Sequence, residues 1–447
     1  MSRPLAPRGW LAAPALALLA LSGSARAGVE DIVGLGPRDT ALGGSYVARP
    51  GDFAAAYYNP AGLAPGGAVK EHGGFFELTV AAVWARPFVH ADRTGGGPVA
   101  TPGTPDTAGA LLGARFSAGQ MFDLDGLDAG LALYLPAHIF RWTIAPDDDP
   151  QWAMLTDRSQ VLSFDAGLAY RVTRWLSVGV GARALFDVQT VTTGSVTSVQ
   201  QAKDPATGND VLLAHTRLGT DAQVFGRITP QAGLLVTPID AVRVGFAWRA
   251  QSYVDDWGYT RIAGVPGLGN LGYSHHFAHY FHPTELALGA SWDVTRTLDV
   301  SLDLTWNRWS AALSTNRNDL GAVQFGDTWT PALGARLRLG PSASVMAGYR
   351  FYRSPLDNFG GPTNLLDNDR HVTSVGGDLD LGKLVCDCLQ GAKLVAAVQP
   401  TLLVSRTDTK DFRRFRSDVD WMNNAGYPGV TWGGWMLGAS VGVEAKW

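Results

Sequence analysis

Residues 285–307 read ELALGASWDVTRTLDVSLDLTWN, and this stretch decides the fold. On both sides of a short turn at Arg296 and Thr297, apolar side chains alternate with polar or small ones. A period of two is that of a β-strand, whose successive side chains point to opposite faces. Each half runs for about ten residues, whereas strands of soluble proteins average about five or six and a tilted bilayer crossing needs about nine to eleven. The stretch therefore predicts two membrane-crossing strands joined by a tight turn.

The same alternation continues in both directions and predicts about fourteen strands, the seventh of them at residues 242–259. Alternation alone does not separate a soluble sandwich from a barrel, but the connections do. Very short turns, such as residues 173–175 and 341–342, alternate with long connections, of which the longest are residues 194–220, 261–282 and 408–430. Short periplasmic turns and long outer loops are typical of outer-membrane barrels. We therefore predict an all-β chain, a transmembrane antiparallel β-barrel of about fourteen strands with both termini in the periplasm.

The composition agrees with a membrane barrel. Charged residues make up 17% of the chain, against roughly a quarter in an average soluble protein. The formal net charge of -4 offers no basic excess to a polyanion, so nucleic-acid binding is not expected. Four histidines cluster in one predicted outer loop without an accompanying carboxylate or cysteine: His275, His276, His279 and His282. Surface or interfacial histidines are therefore favoured over a metal site, and no cofactor is expected.

The first residues have the pattern of a secretory signal. Arg3 and Arg8 precede an apolar run over residues 10–21, and Ala25-Arg26-Ala27 forms a small-residue cleavage site. The apolar run is shorter than the roughly 20 residues that a membrane-spanning helix needs. We expect a signal peptide at residues 1–27 and an exported chain that begins at Gly28.

The next segment, residues 28 to about 65, does not alternate and is rich in Gly, Ala and Pro. Two interpretations stay open from the residues alone. One is a disordered terminus, because disorder concentrates at chain ends. The other is a plug inside the barrel lumen. A plug predicts three parts for the chain: the signal at 1–27, a plug at 28–70 and the barrel at 71–447.

This segment also carries a family resemblance. The sequence GLGPR at residues 34–38, ALGGSYVA at 41–48 and DFAAAYYNPAGL at 52–63 resembles the N-terminal hatch of the outer-membrane long-chain fatty-acid and hydrocarbon transporters of the FadL/TodX type. Two later stretches, WNRWS at 306–310 and NLLDNDRH at 364–371, are similar to the same family. The resemblance extends from about residue 34 to the C-terminus.

The resemblance implies a fourteen-stranded barrel with an N-terminal hatch in its lumen. It implies uptake of long-chain fatty acids or hydrocarbons, with capture by outer loops, hatch movement and sideways release through the wall. The residues expected to act in the hatch are Gly43, Gly44, Asn59, Pro60 and Ala61. The terminal aromatic Trp447, on an alternating last strand, resembles the signal read by the barrel-assembly machinery. The other expected partners are outer-membrane lipids and lipopolysaccharide, and the chain is expected to be a monomer.

Two further sites are expected on the route of a hydrophobic ligand. The predicted outer loop at residues 261–282 exposes much apolar surface for a loop, which favours a capture site, although packing of the loop on itself is an equal alternative. Its candidate residues are Leu268, Leu271, Phe277, Tyr280 and Phe281. A proline cannot donate to the sheet ladder, so Pro136 in the third strand is the candidate for a lateral opening.

Other functions are less well supported by the sequence. An enzyme is not expected, because no nucleophile has an activating histidine in a recognisable pattern. A general porin is the stronger alternative, together with a structural or adhesive barrel, but a general porin needs no plug. The charged residues of the lumen face are expected to pair across neighbouring strands, with no single arginine assigned to a carboxylate ligand. Cys386 and Cys388 lie in the last periplasmic turn, and a disulfide or a free pair are both open.

Overall fold

The computed structural model describes residues 34–49, 51–64, 74–91, 107–122, 124–137, 162–203, 210–265, 269–311, 324–358, 366–409 and 429–446. The expected signal peptide and Trp447 lie outside these ranges. Among the described residues, no helix has the length and apolar character to cross a bilayer.

Strands dominate the described residues. In chain order they are β1 (Phe75–Ala91), β2 (Thr107–Ser117), β3 (Leu127–Pro136), β4 (Leu162–Arg171), β5 (Leu176–Lys203), β6 (Asp210–Ile239), β7 (Val242–Arg249), β8 (Ser252–Val265), β9 (Gly269–His282), β10 (Glu285–Asp293), β11 (Leu298–Asn307), β12 (Gln324–Phe325), β13 (Thr328–Arg338), β14 (Ala343–Tyr352), β15 (Leu356–Asn358), β16 (Arg370–Asp380), β17 (Ala392–Thr409) and β18 (Gly429–Lys446). Short helices are α1 (Pro37–Ala41), α2 (Ala55–Tyr58), α3 (Gly119–Phe122) and α4 (Leu381–Leu384), with 3-10 turns at Pro60–Leu63, Trp309–Ala311 and Asp387–Leu389.

Fourteen of the strands form a closed antiparallel barrel. Each strand pairs with its neighbours in the order β1, β2, β3, β4, β5, β6, β7, β10, β11, β13, β14, β16, β17, β18. The ring closes because β18 pairs with β1, where Lys446 lies opposite Phe75 and Val430 opposite Ala91. Closure leaves no unpaired strand edge in the wall, as a structure surrounded by lipid requires. The prediction of a fourteen-stranded transmembrane barrel is confirmed.

The two faces of the wall have the predicted chemistry. On β10 and β11, Leu288 is 56% exposed and Leu302 is 57% exposed on the outside. The intervening Ser301 and Asp303 point inward and are buried. Apolar side chains on the outside and polar ones inside match lipid on one side and a filled lumen on the other.

Three predicted connections are different in the structure. The seventh strand ends at Arg249 and not at residue 259, because β10 takes the place beside β7 with Glu285 opposite Arg249. The chain then leaves the wall and forms the β8–β9 hairpin, so most of the connection predicted as a loop at residues 261–282 is β-structure. Likewise, β5 and β6 continue as a hairpin over most of residues 194–220, where a loop was expected. These stretches are rich in Val, Thr, Tyr and Phe, which favour strands.

The short connections lie at the predicted end of the barrel. Cys386 and Cys388 are in the turn between β16 and β17, beside α4, and a disulfide joins them with a Cα–Cα distance of 5.2 Å. This resolves the alternatives that the sequence left open for the two cysteines.

The buried apolar core lies inside the barrel and not between layers. It contains residues of the N-terminal segment, such as Leu42, Tyr46 and Phe53, packed with inward side chains of the wall, such as Val83 and Met436. We call residues 34–49 and 51–64 the lumen segment. It contacts strands on opposite sides of the barrel, including β4, β5 and β6 on one side and β14, β16 and β17 on the other.

Candidate functional site

A ring of glycines in the wall makes room for the lumen segment. At each of these glycines a Cβ atom would come within 3.4 Å of an atom of the segment: Gly113, Gly130, Gly167, Gly179, Gly233, Gly245, Gly289, Gly334, Gly348, Gly376 and Gly442. They lie on eleven different strands, and we call them the glycine belt. At some positions backbone meets backbone, since a Cβ on Gly348 would lie 2.2 Å from the amide nitrogen of Gly43. The belt therefore lets the segment lie directly on the wall.

Polar side chains of the wall bind the backbone of the segment. Ser291 donates to the carbonyl oxygen of Ala48 at 2.9 Å, Ser301 to Ser45 at 3.1 Å, Ser374 to Ala41 at 3.1 Å and Arg115 to Leu63 at 2.8 Å. In the opposite sense, the carboxylate of Asp303 accepts the backbone N–H groups of Tyr46 at 2.6 Å and Val47 at 2.8 Å. Each bond of a serine contributes a net of about 0.5–1.5 kcal/mol, and each bond of the charged Arg115 and Asp303 about 1.5–3 kcal/mol, because water would replace the partner on release.

The Asn59-Pro60-Ala61 element lies at a junction between the segment and the wall. The Asn59 side chain donates to the carbonyl oxygens of Val47 at 2.8 Å and of Leu234, on β6, at 3.0 Å. Its Oδ1 accepts the N–H of Ala61 at 3.2 Å and caps the 3-10 turn that begins at Pro60. Glycines of β5 and β6 face this element, Gly179 against Pro60 and Ala61 and Gly233 against Asn59. One side chain thus joins two parts of the segment to the barrel.

Gly43 and Gly44 reverse the chain after α1. Their φ angles are 67° and 78°, in the left-handed region that favours glycine. Gly43 lies on the backbone of β14 at Tyr349, and Gly44 lies beside the guanidinium of Arg350. Both the turn and the close approach therefore require residues without a side chain here.

Buried charged side chains connect the first helical turn of the lumen segment with β18, the last strand of the barrel. Arg38 pairs with Asp52 within the segment at 3.4 Å and with Glu444 of β18. Asp39 accepts hydrogen bonds from the N–H groups of Leu35 at 2.8 Å and Gly36 at 2.7 Å and from the Tyr58 hydroxyl at 2.8 Å. Burial raises the pKa of the Asp39 carboxyl to about 6, and the hydrogen bonds from Tyr58 and Leu35 oppose that rise.

A pocket with a cavity volume of about 140 Å³ lies on the outer side of the lumen segment. Gly44, Val47, Tyr57 and Tyr58 of the segment form its floor. Its walls are polar side chains from the outer halves of several strands: Arg249, Glu285, Asp303, Arg350 and Arg370. Its outer end has aromatic groups, of which Trp309 is 2% exposed. The pocket therefore touches both the wall and the segment that closes the lumen.

Arg249 links the pocket wall with the pocket floor. Its Nη1 donates to Glu285 at 2.8 Å, and its Nη2 donates to the carbonyl oxygen of Tyr57. The guanidinium carbon lies 4.1 Å from the centre of the Tyr57 ring, and that of Arg183 lies 5.1 Å from the same ring. Cation–π contacts of this kind contribute about 0.5–2 kcal/mol. Tyr57 of the segment is thus held by two arginines of the wall.

The structure places the sequence-predicted residues in different regions. The five hatch candidates, Gly43, Gly44, Asn59, Pro60 and Ala61, all lie in the lumen segment. Pro136 is the last residue of β3 and lies opposite Gly109 of β2, and its side chain is buried. The expected continuation of this strand to residue 143 lies outside the described residues.

The candidate capture residues lie on or next to β9. Leu271, Phe277, Tyr280 and Phe281 are strand residues, so their assignment to a loop is wrong, and Leu268 lies outside the described residues. The ring of Phe281 lies 5.9 Å from that of Trp309, next to the outer end of the pocket. His282 contacts Glu285 at 3.5 Å, and no group of metal-ligating side chains occurs in the ranges that the structure describes.

The expected pairing of lumen charges is confirmed for several pairs. Arg243 lies 2.5 Å from Asp293 and Arg249 lies 2.8 Å from Glu285, in both cases between the neighbouring strands β7 and β10. Arg336 instead reaches Asp378, at 3.2 Å, across the intervening strand β14. Sequence reasoning missed the role of Asp303 as an anchor of the segment and the floor formed by Tyr57 and Tyr58. A signal for the glycine belt was present, because Gly245 and Gly289 occupy lumen positions in the middle of alternating strands.

A closed barrel with a lipid-facing wall and an occupied lumen defines a plugged β-barrel of the outer-membrane type. Residues 151–383, more than half of the chain, match the family described as "Outer membrane protein transport protein (OMPP1/FadL/TodX)". The chain belongs to this family, and its location is the outer membrane. The family consists of transport channels and not of enzymes.

Solved structures share the fold. The toluene transporter TodX of P. putida superposes with a TM-score of 0.58 at 15% identity, over 93% of this chain and 99% of that one. A FadL homologue of Pseudomonas aeruginosa gives 0.57 at 16% identity, over 93% and 97%. The toluene transporter TbuX of Ralstonia pickettii gives 0.54 at 15% identity, over 94% and 100%. No curated protein matches. At such identities the likeness concerns the fold alone.

Proposed function

We propose that this protein takes up hydrophobic small molecules, long-chain fatty acids or hydrocarbons, across the outer membrane, with the lumen segment acting as a movable hatch. The observation that carries the proposal is the pocket whose floor is the lumen segment itself. A ligand in this pocket touches the element that has to move before the ligand can go further. Membership of a family of outer-membrane transport proteins supports the same function.

The bonds that hold the segment suit a hatch. Seryl hydroxyls, an asparagine amide and a carboxylate bind its backbone groups, and water can replace each of these partners. Release then costs little for each of these hydrogen bonds. The apolar contacts of Leu42, Tyr46 and Phe53 with the wall favour a shift of the segment within the lumen over its complete withdrawal, which would expose that core.

The pocket favours a ligand with an acidic end. A cavity of roughly 150 Å³ holds one benzene molecule, so a volume of about 140 Å³ fits one ring or the end of a chain. Arg249, Arg350 and Arg370 line it, and guanidinium groups bind carboxylates through two parallel hydrogen bonds. A fatty-acid carboxylate that binds Arg249 would compete with the Tyr57 carbonyl oxygen and loosen the floor. A neutral hydrocarbon has no carboxylate and would not compete with the Tyr57 carbonyl oxygen for Arg249.

The strands around the pocket also indicate where a hydrophobic ligand would enter the barrel and where it would leave. The β8–β9 hairpin lies on the outer side and brings Phe281 next to Trp309 of the pocket, which suits capture of an apolar ligand. For the exit, the pairing of β3 with β4 runs, among the residues that the structure describes, to Tyr134 opposite Ser163, and Pro136 has no N–H to donate to the ladder. We propose the lateral opening there. Lateral release keeps an apolar ligand out of water.

A general porin or a structural or adhesive barrel is the alternative. The lumen segment argues against a porin, because it occupies the space through which polar solutes would diffuse. The test compares uptake of labelled oleate, toluene and a small sugar by cells with and without the protein. Faster uptake of an apolar probe, with unchanged sugar uptake, supports the proposal. Equal uptake of every apolar probe by both cell types, or faster sugar uptake alone, contradicts it.

A further inference from the structure

The outer surface of the barrel carries a basic patch at one side. Arg86 and His90 point outward from β1, and His371 points outward from β16, and all three are exposed. Arg353, directly after β14, is exposed as well. We call Arg86, His90, Arg353 and His371 the outer basic patch.

Strand registers place two residues of the patch, Arg86 and His371, in one row of outward side chains. Phe351 lies opposite His371, His371 opposite Leu402, Leu402 opposite Trp435, and Trp435 opposite Arg86. These five outward residues form one row across five neighbouring strands. Neighbouring strands lie about 4.8 Å apart, so His371 and Arg86 are roughly 14 Å apart along the row. Within the row, His371 and Arg86 are separated by Leu402, which is 56% exposed, and Trp435, which is 50% exposed.

The patch lies at the outer boundary of the apolar band. The lipid-facing side of β1 begins at Phe76 near the periplasmic end, and Arg86 comes ten residues later. Ten residues at about 3.4 Å, tilted by about 40°, rise roughly 25 Å, which is the height of the apolar band of such barrels. The exposed Trp84, on the same face of β1, belongs to the aromatic girdle at this level. Arg86 therefore reaches the headgroup layer of the outer leaflet.

His371 is held in place by aromatic neighbours. The Tyr349 hydroxyl lies 2.8 Å from its Nδ1, and the Phe351 ring centre lies 5.1 Å from its ring centre. These contacts hold the imidazole in one orientation beside the lipid-exposed surface. It can therefore act as a fixed hydrogen-bond donor or acceptor, which a mobile solvated side chain cannot. The patch thus combines charge, order and adjacent apolar surface.

We propose that the outer basic patch binds the phosphate groups of one lipopolysaccharide molecule. A cation on the lipid face is costly at the midplane of the bilayer and nearly neutral in free energy close to the interface, so an anionic partner at this depth makes the cation favourable. The guanidinium of Arg86 binds a phosphate through two hydrogen bonds, and the histidines bind the second phosphate or the sugar. Leu402 and Trp435, between the two basic residues, lie against the upper ends of the acyl chains, which extend from there along the apolar band of the wall. This site is separate from the ligand route inside the barrel.

The test uses the purified full-length chain in detergent micelles and native mass spectrometry. The probes are diphosphorylated lipid A, the same lipid without phosphates, and phosphatidylglycerol. We expect at least a tenfold preference for diphosphorylated lipid A over both other lipids, and a decline of that preference with added salt. Equal binding of lipid A with and without phosphates overturns the proposal, and so does equal binding of phosphatidylglycerol.

Variants locate the site. We expect the double variant Arg86→Gln/His371→Gln to lose at least tenfold in lipid A binding. Arg86→Lys, which keeps the charge, retains most of the binding. The matched control is Arg338→Gln, which also replaces an arginine by glutamine, at the periplasmic end of β13. Unchanged lipid A binding by the double variant, or an equal loss in the control, contradicts the assignment. The salt dependence tests the proposal on the native chain and needs no variant.

Discussion

At the scale of single residues, Asn59 is the side chain that most directly joins the lumen segment to itself and to the wall. Replacement by alanine removes its donations to Val47 and Leu234 and leaves buried carbonyl oxygens without these partners, at a cost of about 1–3 kcal/mol. We expect Asn59→Ala to assemble as a barrel and to take up fatty acid several-fold more slowly than the parent protein. The reason is that the lumen segment no longer returns to its bound position against the wall.

The control for this variant is Asn368→Ala. Asn368 also donates to two backbone carbonyl oxygens, those of Val404 and Trp432, but at the outer ends of β17 and β18 and away from the segment. It should leave uptake near the parent rate. Heat-modifiable migration on gels reports assembly, and labelled oleate reports uptake. Full uptake by a correctly assembled Asn59→Ala protein would argue against a gating role.

Ionisation of Asp39 makes the stability of the folded protein, with the lumen segment in place, depend on pH. Its pKa is about 6 in the folded protein, above the usual value near 4 of a carboxyl group in an unfolded chain. The folded state therefore binds the proton more tightly. Its contribution to stability is fully present below about pH 4 and is lost as pH rises through about 6, a change of up to roughly 3 kcal/mol.

Asp39→Asn, which cannot ionise, tests this dependence. Equilibrium urea unfolding of parent and variant in phospholipid vesicles should show a difference in unfolding free energy that changes between pH 4 and pH 6 and is constant above pH 7. The constant offset reflects the altered hydrogen bonds to Leu35 and Gly36. If the difference between the two proteins is the same at every pH, Asp39 does not titrate as described.

At the scale of elements, strands β14 and β16 show how the wall accommodates the segment. A methyl group on Gly348 would lie 2.2 Å from backbone atoms of Gly43 and Leu42, which cannot rotate away as a side chain could. We expect Gly348→Ala to form a barrel with a displaced segment. Planar-bilayer recordings should then show a larger conductance for small ions than the parent protein gives.

Gly377→Ala is the matched control for this prediction. Gly377 is on β16, opposite Val345 on the lipid-facing side, and its added methyl group would approach the carbonyl oxygen of Ser344 and not the segment. This variant should conduct as little as the parent. Equal conductance of Gly348→Ala and the parent protein would show that the belt does not determine where the segment lies.

The elements that sequence reasoning predicted correctly are those defined by local patterns. The alternation of Leu286, Leu288 and Trp292 places β10 in the wall whatever its neighbours are, because the period of two depends only on the strand itself. The end of β7 could not be predicted in this way. Alternation continues past Arg249, and the pairing of β10 with β7 decides where the chain leaves the wall.

At the scale of the whole molecule, the candidate site depends on contacts between parts of the sequence that lie far apart. The family resemblance indicated a hatch and its residues, and all five predicted hatch residues lie inside the barrel. Their partners were not predictable, because Asp303 binds Val47 across 256 positions of sequence. The same holds for Arg249 and Tyr57, whose contact joins the pocket to the segment.

If uptake requires the lumen segment to move, a reversible cross-link between the segment and the wall should block uptake. Val47 of the segment packs with Ala287 of β10 in one buried cluster, so Val47→Cys/Ala287→Cys brings two thiols together. The single variant Val47→Cys is the control. Uptake of labelled oleate is measured in cells under oxidising conditions and again after mild reduction. We expect the oxidised double variant to lose most of its uptake and to regain it on reduction, while the control is unaffected. Unchanged uptake with the cross-link demonstrably formed would contradict it.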